Sequence, residues 1–368
     1  MRAVIIGAGV AGLAIGWRLR QAGAEVVVVD RGQPGKGATW AAAGMIAAST
    51  ELSSAPAAEL ELGLRSRTMW ADFAKEIEDA SGAVLGYRQS GSLIAALTEE
   101  DASRQVERAR GDSEVILLSA SDARAMEPML SQSIRGALFA PKEAQVDNRA
   151  LGRALATAFM RSGGMLVANE TVIRVESHCG RATGVCTPFR IFEGDAVILA
   201  AGAWSGQVAG VPPEASPPVR PMKGEMLALV SPAKEPPPER QVWGSGVYLT
   251  PRAGHLLIGA THEDAGFDSR LTRKAEDWLS GQALTLMPGL KAWRILEHWA
   301  GLRPASPDGL PILGPSAMPG LFIASGQHRN GILFAPAVAE IVADLVLGRP
   351  RDVSAFDPRR FAGRACAA

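Results

Sequence analysis

The sequence predicts an α/β chain of two domains. One is built on a parallel sheet from separated segments, and the other is α+β with an antiparallel sheet. Three observations carry that expectation. The first thirty residues run through a buried strand, a glycine loop, a helix and a second strand. A buried strand with a small-residue turn returns over 195–205, and a further strand, glycine loop and helix follow from Leu321 onward. Between the returns lie strand-rich pieces with polar helices, which read as a second domain inserted into the first.

Ala3 to Ile6 is short, uncharged and β-branched, the pattern of a strand buried on both faces. Gly7, Gly9 and Gly12 follow as G-x-G-x-x-G. The first glycine permits the tight turn, the second lets a pyrophosphate approach the backbone, and the third lets the helix lie close on the sheet. Val10, Leu13, Ala14 and Trp17 form the apolar face of that helix, with Arg18 and Arg20 left for solvent. Gly23 ends it. Four valines over 26–29 make the next strand, which closes at Asp30, placed to accept from a ribose hydroxyl. Unpaired N–H groups and the dipole at the helix start, around Val10 and Ala11, suit a diphosphate. An isolated glycine motif says little. Here it follows a strand, opens a helix and has its acid at the next strand end, so a Rossmann-like dinucleotide-binding domain is expected.

At 368 residues the chain can form two domains with a core each. Lys plus Arg and Asp plus Glu both total 38, so no global field favours nucleic acid or an anionic membrane. No run reaches the ~18 apolar residues that span a bilayer. The apolar run over 3–17 is interrupted by glycines in fingerprint order and leads to a strand, so it is not read as a secretory leader. The three cysteines, Cys179, Cys186 and Cys366, form no C-x-x-C. Neither a disulfide framework nor a metal site is expected, and a cytoplasmic location fits. Self-association is left open.

After Asp30 and Arg31, small residues dominate 35–46, including Ala38, Thr39, Ala43, Gly44 and Met45. Alone this stretch reads equally as an alanine-rich helix start; directly after the fingerprint, a cofactor-contacting segment is preferred. A helix is expected over 60–80, with Leu64, Met69 and Phe73 inward. Residues 91–97 read as a strand, Thr98 as the cap of a polar helix to Arg110, and 119–126 as a short helix stopped by Pro128. Asp147 caps a helix to about Arg161 that Gly163 and Gly164 end. Strands are expected over 165–168, 171–176 and 184–190, the second holding Val172. The run 195–205 is a buried strand feeding a turn with Gly202 and Trp204. A proline-rich linker is expected over 211–221 and a polar loop over 234–239, with strands over 225–230, 246–250 and 255–261 and a helix over 273–287. A last strand over 321–325 leads into Arg329-Asn330-Gly331 and a helix with Pro336 in its first turn.

With the pieces in order, the chain from Val4 to about Leu347 resembles the glycine oxidase branch of the D-amino-acid-oxidase-like flavoenzymes. The fingerprint, Ala41-Ala42-Ala43-Gly44-Met45, Pro221-Met222-Lys223-Gly224-Glu225, Trp299-Ala300-Gly301-Leu302-Arg303-Pro304 and Arg329-Asn330-Gly331-Ile332-Leu333 carry the resemblance. It implies a discontinuous FAD-binding domain of the GR2 type over 1–83, 141–212 and 298–368, with a substrate-binding domain over 84–140 and 213–297. It also implies oxidation of an amine next to a carboxylate, with molecular oxygen as acceptor and an α-keto acid, ammonia or an amine, and hydrogen peroxide as products. In such glycine oxidases the imine also feeds thiamin thiazole synthesis. The residues favour FAD over NAD in their own right, because an NAD domain is usually one compact run, whereas here a terminal strand, loop and helix return to complete the site.

The resemblance implies non-covalent FAD held by Gly7, Gly9, Val10, Ala11, Gly12, Asp30, Arg31, Ala38, Thr39, Ala43, Gly44, Met45, Val172, Gly202, Trp204 and the run Arg329, Asn330, Gly331, Ile332 and Leu333. A carboxylate substrate calls for a planar, permanently charged donor, and Arg303 in its apolar setting is the choice. Tyr248 joins it through the resemblance, since a lone tyrosine on a strand otherwise reads as core packing. Arg329 is expected at flavin or substrate, with Met45 and His262 also lining the substrate site. Dehydrogenation is expected by hydride transfer from Cα to the flavin, which requires no side-chain base; His262 and His328 are the candidates for one. The chain departs from its resembling enzymes at His262, where they carry methionine, at Gly246, where a histidine precedes the tyrosine, and at Trp40. No cysteine lies near Arg303. Glycine is the first expected substrate. The alternatives are an oxidase of bulkier N-substituted glycines, sarcosine or D-amino acids, a dehydrogenase using another acceptor, and a flavin-binding protein without turnover.

Overall fold

The computed structural model describes residues 1–232 and 237–361. Residues 234–236 of the expected polar loop, and Cys366, lie outside them. A six-stranded sheet runs in the order Ile312–Pro315, Leu321–Ser325, Ala196–Leu199, Arg2–Ile6, Glu25–Val29 and Met165–Val167. Its strands are parallel except Ile312–Pro315, which turns back along its neighbour. Alternate side chains go to opposite faces, and both faces are covered. Ile5, Val28 and Ile198 meet the helices Val10–Gln21, Asn148–Arg161 and Ala335–Val346, while Val4, Val27 and Val197 pack with Val175, Val185 and Phe192. Burial on both sides explains why these strands read as unbroken apolar runs.

The expected caps form. Thr98 and Asp101 make a reciprocal capping box, and Asp147 accepts from the N–H groups of Arg149 and Ala150. Three expectations need correction. The strands expected over 171–176 and 184–190 form instead at Arg174–His178, Arg181–Cys186 and Ile191–Glu193, a small separate sheet. The linker expected to reach Pro221 stops short of it, because Arg220–Val230 is one strand of 11 residues paired along Arg294–Ala305. Pro221 is tolerated by the strand although it lacks an N–H to donate. Arg18 and Arg20 are not left to solvent. Arg18 lies over Trp17 and Phe73 and pairs with Glu76, and Arg20 donates to the carbonyls of Ser162 and Ala24. A helix sandwiched between two others has little free face to offer its long side chains.

The second sheet has eight strands, in the order Arg294–Ala305, Arg220–Val230, His255–Gly259, Val247–Arg252, Gln241–Gly244, Ser92–Ala96, Gly136–Ala140 and Ile116–Ser119. All neighbours are antiparallel except Gln241–Gly244 with Ser92–Ala96. Arg294–Ala305 spans the border expected at 297/298, and its ladder places it with this sheet. One face packs on the helix Arg273–Leu286 through Leu227, Val242, Leu249 and Leu279. The opposite face carries Met226, Leu257 and Trp299 against Ala41 and Ala43, so it meets the segment after the second strand.

One long helix, Ala57–Ser81, ties the ends of the pattern together. The Leu333 carbonyl accepts both from Ser66 Oγ at 2.7 Å and from Trp70 Nε1 at 2.9 Å, which uses both of its lone pairs. Trp70 is fully buried. Trp70→Ala is expected to cost ~3–5 kcal/mol, read as a lowered midpoint in urea unfolding.

Candidate active site

A cavity of about 990 Å³ runs along the carboxyl end of the six-stranded sheet to the face of the second sheet. At its nucleotide end the glycine loop is shaped by contact. A methyl on Gly12 would sit 1.9 Å from the Gly7 carbonyl oxygen, and one on Gly7, at φ +107°, 2.4 Å from the Ala200 oxygen. Gly7, Gly9, Val10 and Ala11 line the cavity, and Gly12 lies just behind them, where helix packs on strand. Asp30 braces the loop. Its Oδ2 accepts from the Ala8 N–H at 2.7 Å and its Oδ1 from the Gly32 N–H at 2.8 Å, leaving further lone pairs for a hydroxyl. Thr39 Oγ1 accepts from the Val10 N–H at 2.9 Å. The Arg31 guanidinium stacks 3.6 Å over Trp204, which in turn meets Phe267 at 5.2 Å. Val172 and Gly202 complete this end.

The middle is walled by small residues held tightly. A methyl on Gly301 would come within 2.5 Å of the Ala41 side chain, and Trp299 Nε1 donates to the Ala41 carbonyl at 3.0 Å. Asn148 Nδ2 donates to the carbonyls of Thr39 and Trp40. Gly44 takes φ +68° against the Val146 carbonyl, and half-buried Arg252 donates to the carbonyls of Ala43 and Val146 and to Gln145. Ala38, Ala43 and Met45 line the same wall, and Asn330, Gly331, Ile332 and Leu333 line the opposite one. The Gln327 amide nitrogen is buried there with no hydrogen-bond partner among the described residues.

The third end lies on the second sheet. Met222, Gly224 and Met226 fall on one side of their strand, while Lys223 and Glu225 point to the other and form a buried pair at 2.8 Å. The Arg303 guanidinium lies flat over Gly224, where a methyl would stand 2.3 Å from both terminal nitrogens. Arg303 Nη1 donates to the carbonyls of Thr261 at 3.1 Å and Lys223 at 3.3 Å. The Tyr248 ring packs on Gly259 and near Trp243, and its hydroxyl donates to Met226 Sδ at 3.7 Å. Burial pushes the phenol up to about 12, against the pull of Arg303. Arg329 Nε pairs with Glu51 Oε2 at 2.5 Å, and its Nη2 donates to the Glu51 carbonyl. Burial raises the Glu51 carboxyl, with Arg329 and Arg303 opposing. His262 Nε2 and His328 Nε2 stand 3.3 Å apart at the edge of this end.

A family model for FAD dependent oxidoreductases (DAO) matches residues 2–345. The chain belongs to that family. It is 37% identical over 354 residues to the bifunctional protein ThiO/ThiG of Nostoc sp., covering 95% of this chain and 53% of that protein. The chain thus spans about half the length of such relatives. The crystal structure of glycine oxidase from Geobacillus kaustophilus superposes with a TM-score of 0.90 at 33% identity, covering 97% of this chain and 98% of that one. That of iminodiacetate oxidase from Chelativorans sp. gives 0.86 at 28%, covering 97% and 99%.

The residues present fit the flavin of this oxidoreductase. A loop and wall packed too tightly for a Cβ at Gly7 or Gly44, a braced carboxylate at Asp30 and an unpartnered amide at Gln327 are what a long group with phosphate and polar ring edges needs. The described cysteines, Cys179 and Cys186, do not line the cavity. No described helix is long and apolar enough to cross a membrane. Met45, Tyr248, His262, Arg303 and Arg329 all line this cavity, Met45 on its middle wall and the other four on the part against the second sheet. Sequence reasoning missed Glu51 and Gln327. Glu51 had a signal, being the one charged residue between Lys36 and Glu59. Gln327 had only its place in the glycine loop.

Gly12→Ala is expected to yield protein that retains little FAD, read as a fall in the ratio of 450 to 280 nm absorbance, because its methyl and the Gly7 oxygen cannot share one place. A second expectation concerns Glu143, whose Oε1 accepts from the Thr50 N–H at 2.8 Å beside Glu51. Burial raises this carboxyl from 4.5 to about 7. The folded state therefore favours its neutral form, a contribution complete below pH 4.5 and lost as pH rises through about 7. Glu143→Gln should leave stability near unchanged at pH 4 and raise it by up to ~3 kcal/mol at pH 8.5, measured by urea unfolding at both.

Proposed function

We propose that the chain is an FAD-dependent oxidase of a small amino acid, glycine first, which it converts with oxygen and water to glyoxylate, ammonia and hydrogen peroxide. The observation that carries this reading is Arg303, a guanidinium gripped by two main-chain carbonyls in the cavity that also holds the nucleotide loop. FAD, when bound, supplies the two-electron acceptor and passes the electrons to oxygen. The remaining work falls to this chain. Arg303 binds the substrate carboxylate through N–H groups not spent on Thr261 and Lys223. Tyr248 stays protonated at any ordinary pH and turns its one O–H from Met226 Sδ to donate to the same carboxylate. Glu51 neutralises Arg329, so the site offers one uncompensated guanidinium to one carboxylate. The amine is bound deprotonated, its proton having gone to water, and no side-chain base is required. The joining of ThiO to ThiG in the Nostoc relative supports a role in supplying imine to thiamin thiazole synthesis.

A second reading, oxidation of bulkier N-substituted glycines, is favoured by one observation. Beside Tyr248 the wall is bare at Gly246, where a methyl would meet only Trp278, at 3.5 Å. The likeness to iminodiacetate oxidase supports it as well.

Anaerobic titration with glycine and with sarcosine should bleach the flavin, and readmitted air should release hydrogen peroxide. A preparation that takes up no FAD overturns the reading. Arg303→Ala is expected to lower kcat/KM for glycine by ~10²–10³, in line with the cost of removing one partner of a buried charged pair, while the yellow cofactor stays bound. Near-normal activity would show the carboxylate anchored elsewhere.

A further inference from the structure

Arg303 is flanked on both sides by a histidine, and the main chain fixes both. On one side, the Thr261 carbonyl accepts from Arg303 and the Thr261 N–H donates to Glu225, while Glu263 exchanges two backbone hydrogen bonds with Lys223. His262 sits between these two pinned residues. On the other side, the His328 N–H donates to the carbonyl of Pro304, the residue after Arg303, at 2.8 Å. His328 holds φ +46°, in the left-handed region that is uncommon outside glycine but open to histidine. Their rings meet edge to face with centroids 5.4 Å apart and share one proton across the 3.3 Å between the Nε2 atoms.

The charged groups around this pair are unbalanced. Facing it are Arg303, Arg329 and Arg220. The acids within reach are already engaged, Glu51 by Arg329 and Asp264 by Arg220 at 2.5 Å. One substrate carboxylate balances Arg303. Neither histidine has an acid of its own.

Resting on the oxidase reading in its second form, oxidation of N-substituted glycines, we propose that His262 and His328 form a second acid-binding subsite beside Arg303, which fits this enzyme to amines carrying two carboxylates, of the N-carboxymethyl class, over glycine. In a neutral pair one ring always keeps an Nδ1–H to donate, whichever way the shared proton lies. The second carboxylate accepts from it, and one proton taken up from solvent converts the pair to a cation that matches the charge. Burial first, and then Arg303, hold His328 down to about 4 in the absence of an anion; His262, more exposed at the cavity edge, is lowered too, by its partial desolvation and by Arg303. An anion seated there raises both, so binding of the second carboxylate is tied to proton uptake. Both substrates lose an amine proton on binding, so it is the affinity for a dicarboxylic amine relative to glycine, which reaches only Arg303, that falls as pH rises.

The test is steady-state oxidation of iminodiacetate and glycine between pH 5.5 and 8.5 by the holoenzyme, His262→Met and His262→Gln, with anaerobic flavin titration of each. The expected result is a kcat/KM at least 10-fold higher for iminodiacetate than for glycine in the parent enzyme at pH 5.5, with that preference falling as pH rises. His262→Met should lower that preference at least 10-fold. His262→Gln, which keeps a donor but takes no proton, should retain part of the preference and lose its pH dependence. An unchanged preference in His262→Met, or a preference independent of pH in the parent, overturns the subsite while leaving glycine oxidation standing. If neither amine bleaches the flavin, the oxidase reading itself falls. The subsite is then read from the flavin absorption shift on adding iminodiacetate: a shift that weakens in His262→Met supports it, and none overturns it.

Discussion

The structure depends on one close approach, that of a helix to the end of a strand, where Gly12 and the Gly7 carbonyl occupy space no side chain could share. Because the helix Val10–Gln21 comes so near, its first turn borders the cavity at the carboxyl end of the sheet, where partial positive charge collects. Asp30 and Thr39 then use their oxygens to keep the loop in that shape. A carboxylate that would otherwise seem reserved for a ligand is thus also part of the scaffold. The helix Ala335–Val346 packs in the same layer beside the first, just behind the wall that ends at Leu333.

At the opposite end the governing constraint is electrostatic segregation across one sheet. The strand Arg220–Val230 puts Lys223 and Glu225 on its rear, where they pair with each other and Glu225 also meets His298 at 2.8 Å and the Thr272 N–H at 2.9 Å. The front of the same strand offers only Gly224 and Met226 to Arg303 and Tyr248. Buried charge on one side is satisfied within the protein, and on the other a single guanidinium keeps part of its donor set for a guest. The period of two in a strand is what allows neighbours in sequence to serve such different ends.

How much of this was legible follows from the reach of each interaction. The glycine loop, the valine strand to Asp30, the caps at Thr98 and Asp147 and the final helix behind Pro336 are set by contacts within a few residues, and they were read correctly. Arg303 was chosen from its apolar setting and lies in the cavity. What escaped was set by partners far away in sequence. Pro221 sits in a strand because Pro304 lies opposite it in the ladder, and Arg18 is drawn from solvent by Phe73 and Glu76. Glu51 acquires its place from Arg329, more than two hundred residues on. No local pattern signals such pairings.

The order of the six-stranded sheet has a consequence for how the molecule is made. Arg2–Ile6 lies in the interior, yet its neighbour Ala196–Leu199 and the next strand, Leu321–Ser325, leave the ribosome long after it. Until they arrive, the first strand has one bare edge, and the wall holding Gln327 to Leu333 does not exist. A nascent chain can therefore make the loop early but cannot enclose a prosthetic group. Loading belongs to the finished polypeptide, and translation that stalls before residue 321 leaves an open, sticky sheet rather than a smaller working enzyme.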